Sequence, residues 1–221
     1  MFGNFFIVAT PIGNLDDITV RAVETLKGVD LILAEDTRVT RKLLDHYKIE
    51  SPLESFHEHS DEIKYQKIFN LLRQNKNLAL VSDAGTPAIN DPGAFLVQRV
   101  TIELPEVRII PIPGASALTA FLSIAGLKSD QFLFLGFPPH KKGRRTFFEK
   151  IRNAEYPVIF FESTHRIVKA LEALKESDKE IVIGRELTKK FETIYRGSAQ
   201  EILEKLPPDQ TRGEFVVGVY K

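Results

Sequence analysis

Residues 5–14 read FFIVATPIGN, and this stretch decides the class of fold. A short apolar run has the length of a strand, and the Pro and Gly that follow it predict a turn where the strand ends. Further apolar runs fall at residues 29–34, 78–81 and 107–112. Helical patterns separate these runs, which indicates parallel strands in an α/β sheet.

The helices between these strands are predicted from the spacing of their apolar residues, at residues 18–28, 40–47 and 63–72. A fourth helix is predicted to start with Asp91 as its N-cap and Pro92 in its first position. In a sheet of this kind a ligand binds beyond the carboxyl ends of the strands. We therefore expect function in the loops that follow strands.

A domain boundary is predicted after Ile112, because residues 111–114 contain two prolines and a glycine that turn and stiffen the chain. This boundary gives an N-terminal α/β domain, residues 1–112, and a C-terminal mixed α/β domain, residues 113–221. The C-terminal domain begins with a small-residue helix that Gly126 closes.

The remaining elements of the C-terminal domain follow from its apolar runs. Strands are predicted at residues 132–135, 158–161, 181–183, 192–195 and 215–219, and helices at 116–125, 146–151, 167–174 and 199–206. The third and fourth of these strands lie close together in the sequence. They could therefore form a hairpin.

The charge of the chain is balanced overall but not between its halves. The 221 residues contain 30 Lys+Arg and 30 Asp+Glu, a formal net charge of +0, which argues against an indiscriminate nucleic-acid coat. Residues 1–112 contain 12 basic and 16 acidic residues, a net charge of −4, and residues 113–221 carry +4. A polyanion would prefer the second half, although so small a difference is common by chance.

The sequence contains 0 Cys, which excludes disulfides, thiolate metal sites and a Cys nucleophile. This fits a reducing compartment. No apolar run reaches the roughly 18 residues that a membrane span needs, and no basic region precedes the first apolar run. We expect a cytoplasmic protein without a membrane partner.

Three predicted strand ends lead into loops of small residues, after residues 9, 81 and 112. Gly and Ala let a ligand approach the main chain closely, so that N–H and C=O groups bind it. Any one of these loops could be an ordinary tight turn, but three together favour a small-molecule site. No G-x-G, P-loop or G-x-S-x-G sequence occurs, so common nucleotide and nucleophile motifs are excluded.

Charged residues also follow the strands. Glu35, Asp36 and Arg38 stand where a site would be, or form the solvated start of a helix. Residues 141–145, KKGRR, could bind phosphates or form a solvated loop. His57 and His59 could share a metal ion on a strand, but no third ligand has a recognisable spacing, so we expect no metal.

Six motifs occur in order along the chain: VATPIGNLDD at 8–17, AEDTR at 34–38, SDAGTP at 82–87, PGASA at 113–117, FLFLGF at 132–137 and GRELTK at 184–189. Together they resemble the family of ribosomal RNA small subunit methyltransferases I, within the tetrapyrrole methylase superfamily. The resemblance covers essentially the whole chain. It departs from the family pattern within FHEHS at 56–60, FESTHR at 161–166 and PHK at 139–141.

The resemblance implies two α/β domains with S-adenosylmethionine bound in the cleft between them. It implies methylation of the 2′-hydroxyl of a cytidine in the decoding region of 16S rRNA, within the small ribosomal subunit, by a homodimer. The cofactor contacts implied by the motifs are Pro11, Asp83, Ala84, Gly85, Thr86, Ser116, Ala117, Phe161 and Leu187.

Residue types and loop positions suggest the remaining roles. The candidate general bases are His57, Glu35, Asp36 and Lys189, and the sequence does not choose among them. The candidate substrate-binding residues are Arg38, Lys141, Lys142, Arg144, Arg145 and Arg185. Competing hypotheses are a methyltransferase for a small macrocycle or a protein side chain, and a non-catalytic RNA-binding protein.

Overall fold

The computed structural model describes residues 1–57, 60–91, 93–127 and 130–221. The chain divides into two compact units, Met1–Ser116 and Ala117–Lys221. Each unit contains one five-stranded sheet. Within the described residues, no helix combines the length and the apolar character that crossing a membrane requires.

The first unit is built on a parallel sheet. Its strands are β1 (Phe5–Val8), β2 (Leu31–Ala34), β3 (Leu53–Ser55), β4 (Leu78–Val81) and β5 (Ile109–Ile112). They lie in the order β3-β2-β4-β1-β5, and each neighbouring pair is parallel. The predicted α/β class is confirmed. The sequence pattern does not predict β3, because this three-residue edge strand contains a single apolar residue.

Four helices connect these strands: α1 (Val20–Gly28), α2 (Thr37–His46), α3 (Glu62–Arg73) and α4 (Gly93–Glu103). Leu26 of α1 lies in an apolar cluster with Val8, and α2 adds to the same cluster. Phe69 of α3 and Leu96 of α4 lie in a second cluster with Phe5. Two helices therefore cover each face of the sheet.

The strand order places a topological switch point between β1 and β4. The chain leaves β1 through α1 towards β2, and it leaves β4 through α4 in the opposite direction, towards β5. In open α/β sheets, ligands bind outside the carboxyl ends of the strands at such a point.

The start of α4 is held by an acidic side chain. Asp91 Oδ1 accepts hydrogen bonds from the N–H groups of Ala88 and Gly93, both at 2.8 Å. This is the contact that a capping side chain makes. Pro92, predicted in the first helical position, lies outside the described residues.

The second unit is built on a mixed sheet. Its strands are β6 (Leu133–Phe134), β7 (Val158–Glu162), β8 (Glu180–Arg185), β9 (Thr193–Gly197) and β10 (Phe215–Tyr220). They lie in the order β6-β7-β10-β8-β9, and β6 and β7 are parallel whereas the other neighbours are antiparallel. The predicted hairpin is confirmed, with Ile183 opposite Tyr195.

The described part of this unit also contains the α-helices α5 (Ala117–Ala125), α6 (Arg144–Arg152), α7 (Ile167–Leu174) and α8 (Ala199–Lys205). The last three pack on one face through Phe148, Leu171 and Ile202, against Phe160 and Val217 of the sheet.

The opposite face of this sheet holds Phe121 of α5, which is fully buried. Glycines in two neighbouring strands make room for its ring. A Cβ on Gly184 would lie 3.1 Å from the Phe121 ring, and a Cβ on Gly218 would lie 2.9 Å from it. The glycines within these apolar runs therefore mark the place where an aromatic side chain meets the sheet.

Candidate active site

The loops after β1 and β4 are joined by their main chains. Thr10 and Gly85 form an antiparallel bridge, in which Thr10 N–H donates to Gly85 O at 2.9 Å and Gly85 N–H donates to Thr10 O at 3.1 Å. The Thr10 hydroxyl donates to Ser82 O at 3.1 Å. The first two predicted cofactor loops are thus held side by side at the switch point.

The loop after β5 packs against both of them. Ala9 N–H donates to Ile112 O at 3.1 Å, and the Thr86 hydroxyl donates to Ala115 O at 3.1 Å. A Cβ on Gly114 would lie only 3.0 Å from the Cβ of Ala9, so a larger residue would push the loops apart. The structure therefore brings together six of the predicted cofactor residues, namely Pro11, Asp83, Ala84, Gly85, Thr86 and Ser116.

The loop after β4 has an unusual backbone. Gly85 has φ +83°, and a Cβ there would lie 3.2 Å from Ile12 Cγ2. Ala88 and Asn90 both have φ +68°. Left-handed conformations at non-glycine residues cost free energy and concentrate at ligand-binding sites.

Acidic residues line the neighbouring ends of β2 and β4. Asp83 Oδ1 accepts the N–H of Asp36 at 2.9 Å, which ties the two loops together. The Asp36 carboxylate pairs with Arg38 at 2.6 Å, and its hydrogen bonds to the side chain and the N–H of Arg38 lower the pKa of Asp36 to about 2. Arg38 is exposed, and its guanidinium is engaged by this carboxylate.

Glu35 differs from its neighbour Asp36. Partial burial, and then the charges of Asp83, Asp91 and Asp36, raise the pKa of Glu35, whereas His57 opposes this shift. His57 comes close to Glu35 because Phe56 N–H donates to Ala34 O, which continues the pairing of β3 with β2. A carboxyl group with a raised pKa is a stronger proton acceptor than the paired carboxylate of Asp36.

The metal hypothesis for His57 and His59 is not tested by the described residues. His57 follows β3, and Glu58 and His59 lie outside the described residues. In the part of the chain that the structure describes, no group of three or more His, Cys, Asp and Glu could hold a metal ion.

In the second unit, the loops after β6, β7 and β8 meet at one edge of the sheet. β7 and β8 are both antiparallel to β10, so they end on the same side, and Phe215 of β10 pairs with Glu162 and with Arg185. Phe161 lies at this edge beside the rings of Phe134 and Phe137, with centroids 4.9 and 5.5 Å apart. Leu187, just beyond β8, is buried.

Two basic residues at this edge are occupied by protein groups. Arg185 is buried, and its guanidinium donates to Arg212 O at 2.9 Å and to Phe191 O at 3.0 Å. Lys189 Nζ lies 2.8 Å from a Glu214 oxygen and 3.1 Å from a Glu186 oxygen. Arg185 therefore anchors two loops, and its role as a substrate contact stays a prediction.

The titration of Lys189 makes it a poor base. Burial lowers the pKa of Lys189, but the carboxylates of Glu214 and Glu186 outweigh burial and raise it above its usual value. An amine with a raised pKa is protonated at neutral pH and cannot accept a proton. Lys189 is thus a cation in this structure.

The backbone beside Lys189 is strained. Glu186 has φ +50° and Thr188 has φ +64°, and Thr188 is β-branched, for which this conformation is a genuine outlier. The Thr188 hydroxyl is buried without a hydrogen-bond partner among the described residues. The spacing of residues in the sequence does not reveal this strained backbone.

The predicted basic loop divides into two kinds of residue. Lys141, Lys142 and Arg145 are exposed, whereas Arg144 turns inward and its Nη2 lies 3.0 Å from Glu162 Oε2. Glu162 and Arg166 of this cluster are absent from the predicted site. Their spacing within FESTHR is no signal for this contact, because Glu162 ends β7 and Arg166 precedes α7.

The comparisons with known proteins agree across almost the whole chain. The family Tetrapyrrole (Corrin/Porphyrin) Methylases matches residues 4–203. Ribosomal RNA small subunit methyltransferase I of Bacillus subtilis is 44% identical over 222 residues, covering 98% of this chain and 75% of that protein. The protein of the same name from Thermotoga maritima is 42% identical over 217 residues, covering 97% of each.

Solved structures of low sequence identity share the fold. A diphthine synthase matches with a TM-score of 0.73 at 16% identity, covering 99% of this chain and 90% of that one. A cobalt precorrin-4 methyltransferase matches with a TM-score of 0.68 at 18% identity, covering 97% and 94%. The sequence matches and the fold together show that this chain belongs to the ribosomal RNA small subunit methyltransferase I family of the tetrapyrrole methylases.

Proposed function

We propose that this chain transfers the methyl group of S-adenosylmethionine to the 2′-hydroxyl of a cytidine in the decoding region of 16S rRNA. The observation that carries the proposal is the junction of three small-residue loops at the switch point of the first unit. The names of the relatives supply the substrate class, since each is a ribosomal RNA small subunit methyltransferase.

The residues of the first unit fit this methyl donor. Gly85 and Gly114 let the three loops pack closely, since a Cβ on Gly85 would crowd Ile12 and a Cβ on Gly114 would crowd Ala9. Main-chain N–H and C=O groups can then hydrogen-bond the polar atoms of an adenosine. The nearby carboxylates of Asp83 and Glu35 suit a ligand with a sulfonium and an ammonium group, because opposite charges attract.

S-adenosylmethionine, when bound, supplies a methyl group on a positively charged sulfur. The main contribution of this chain is alignment, because the ribose oxygen must approach the methyl carbon in line with the sulfur at roughly 3–3.5 Å. The bridge between Thr10 and Gly85, and the close contact of Gly114 with Ala9, fix the three loops relative to one another. These contacts would hold the donor in a single position.

A ribose hydroxyl is a weak nucleophile, so a nearby base assists its attack. Among the four candidates, we propose Glu35, whose raised pKa makes it the stronger acceptor of the two carboxylates. The low pKa of Asp36 makes it a weak base, and Lys189 carries its own proton. His57 remains as the alternative acceptor beside Glu35.

The substrate would be bound by cations of the second unit. Lys141 and Lys142 are exposed on one loop and Arg145 is exposed on the first turn of α6, in the half of the chain that carries a net charge of +4. Each contact to a phosphate of single-stranded RNA steepens the salt dependence of binding by about 0.7 in the log–log slope. Replacing one such lysine should flatten the slope by that amount.

The deciding experiment maps ribose methylation. Small ribosomal subunits from a strain that lacks the enzyme are incubated with the protein and S-adenosylmethionine, and 2′-O-methyl groups are located on the 16S rRNA. We expect one modified cytidine in the decoding region. Methyl transfer to a macrocycle or a protein instead of RNA would refute the substrate, and RNA binding without any transfer would favour the non-catalytic alternative.

A further inference from the structure

The loop that carries Lys141 and Lys142 is connected through two arginines to one buried carboxylate. Glu162, the last residue of β7, has a fully buried side chain. Its Oε2 lies 3.0 Å from Arg144 Nη2, and its Oε1 lies 3.2 Å from Arg166 Nε. Two arginines from different segments therefore meet on one acid.

Arg144 fixes the carboxyl end of the loop. It is the first residue of α6, and its N–H donates to Lys141 O at 3.3 Å around Gly143, which has φ +86°. Its guanidinium lies over the ring of Phe148, 4.9 Å from the centroid. The side chain is thus held by a charge on one side and by an aromatic face on the other.

Arg166 fixes the amino end of the same loop. Its Nη2 donates to Pro138 O at 2.6 Å and, more weakly, to Pro139 O at 3.4 Å. Its Nη1 lies 3.4 Å from His140 Nδ1. Because its Nε faces Glu162, the planar guanidinium connects the loop to the buried carboxylate.

A buried ion cluster of this kind is a poor source of stability, since removing charges from water offsets much of their attraction. Arg144 Nη1 is itself buried and makes no hydrogen bond within the described residues. The cluster nevertheless fixes both ends of the segment from Pro138 to Arg144. Lys141 and Lys142 remain exposed between these fixed ends.

We propose that Glu162, Arg144 and Arg166 form a clamp that holds Lys141 and Lys142 ready for RNA phosphates. This inference rests on the proposed function and deepens it. Arg144 then acts as a positioning residue and not as a phosphate contact. A loop fixed before binding loses less conformational freedom when the complex forms, so it binds RNA more tightly than a mobile loop with the same charges.

The test is a double-mutant cycle on RNA binding. Arg166→Lys keeps the positive charge beside Glu162 but loses the planar fork that reaches the prolyl carbonyls. The effect of Arg166→Lys on RNA binding is measured in the wild-type protein and in a protein carrying Lys141→Ala and Lys142→Ala. We expect RNA binding to weaken about tenfold in the wild-type background and less than about twofold in the double-alanine background, because the clamp acts through the two lysines.

A control separates the clamp from general stability. Arg152 of α6 also donates from its guanidinium to a main-chain carbonyl, that of Ala173, at 2.7 Å, but far along the helix from the loop. Arg152→Lys should reduce the thermal stability about as much as Arg166→Lys and leave RNA binding unchanged. Arg166→Lys should also raise KM for RNA with kcat unchanged, and it should leave S-adenosylmethionine binding unchanged.

The failure of this inference differs from the failure of the proposed function. Equal weakening by Arg166→Lys in both backgrounds, or weakened RNA binding in Arg152→Lys, would refute the clamp while the wild-type protein still methylates rRNA. A wild-type protein that binds S-adenosylmethionine but neither binds nor methylates small-subunit RNA would refute the proposed function itself.

Discussion

At the carboxyl edge of the first sheet two loops are joined by a main-chain bridge, whereas at the corresponding edge of the second sheet a cluster of charged side chains anchors the loop. The bridge from Thr10 to Gly85 represents the first edge, and the cluster around Glu162 represents the second. Main-chain contacts at close-packed glycines suit a compact ligand of fixed shape. Exposed cations on an anchored loop suit a long polyanion, whose phosphates carry charge but little shape.

The largest effect should come from crowding the main-chain edge. Gly85→Val would place a branched side chain at φ +83°, where even the Cβ lies 3.2 Å from Ile12 Cγ2. We expect S-adenosylmethionine to bind about 10- to 100-fold more weakly in calorimetry, because crowding of this kind costs about 1–3 kcal/mol and each 1.4 kcal/mol is tenfold in Kd.

The matched control for Gly85→Val is Gly126→Val. Gly126 has a similar φ of +71°, but a Cβ there would meet no described atom within 4 Å. Both variants should lose stability through the strained backbone. Weaker donor binding by Gly126→Val as well would show that strain alone, and not the packing of the loops, explains the effect.

A smaller effect, on activity, is expected when Glu35, the candidate base at the first edge, is replaced. Glu35→Gln should lower kcat by about tenfold at neutral pH, below the usual range of a full general base, because His57 stands beside it. Binding of S-adenosylmethionine should change little. The measurement is single-turnover methyl transfer as a function of pH, and unchanged kcat would exclude Glu35 as the base.

The raised pKa of Glu35 also predicts how the stability of wild type and Glu35→Gln depends on pH. The pKa of Glu35 is raised from 4.5 in the folded protein, so the folded state binds this proton more tightly than the unfolded chain. Its contribution to stability is therefore complete below pH 4.5 and is lost as pH rises through the raised pKa. Relative to wild type, Glu35→Gln should be slightly more stable at neutral pH and should gain nothing at low pH, as urea denaturation can show.

The second unit can be tested through its own glycines. Gly218→Ala would place a Cβ 2.9 Å from the Phe121 ring, and overpacking of this kind costs about 1–3 kcal/mol. Phe121→Leu in the same protein should restore part of that loss. Gly28→Ala is the control, because a Cβ there meets no described atom within 4 Å, and its stability should be unchanged or higher. Equal effects of the two substitutions would contradict the packing argument.

The smallest effect is expected at Thr188, where relief of strain should stabilise the protein. Thr188→Asn replaces a β-branched residue at φ +64° with one that tolerates this conformation, and we expect a gain of about 0.5–1 kcal/mol in thermal unfolding. Lys48→Asn is the comparison, at φ +53° without a branched side chain, and should gain less. A loss of stability in Thr188→Asn would mean that packing of the threonine outweighs its strain.

Much of the architecture could be predicted from the sequence. Apolar runs with turns at their ends gave the buried strands, because burial on both faces requires continuous apolar residues. β3 escaped prediction because a short edge strand needs no such run. The motifs around Gly85 and Gly114 also located the candidate cofactor loops, since close approach of main chains restricts those positions to small residues.

Only the tertiary structure decided which charged residues act together. Glu35 and Asp36 are adjacent in sequence, yet burial and carboxylates such as Asp83 raise the pKa of Glu35, whereas pairing with Arg38 lowers the pKa of Asp36. Arg144 and Arg145 are equally adjacent, but Arg144 meets the buried Glu162 whereas Arg145 stays exposed. The apolar pattern is local and can be read along the chain, whereas the role of a charge depends on partners that folding brings from distant segments.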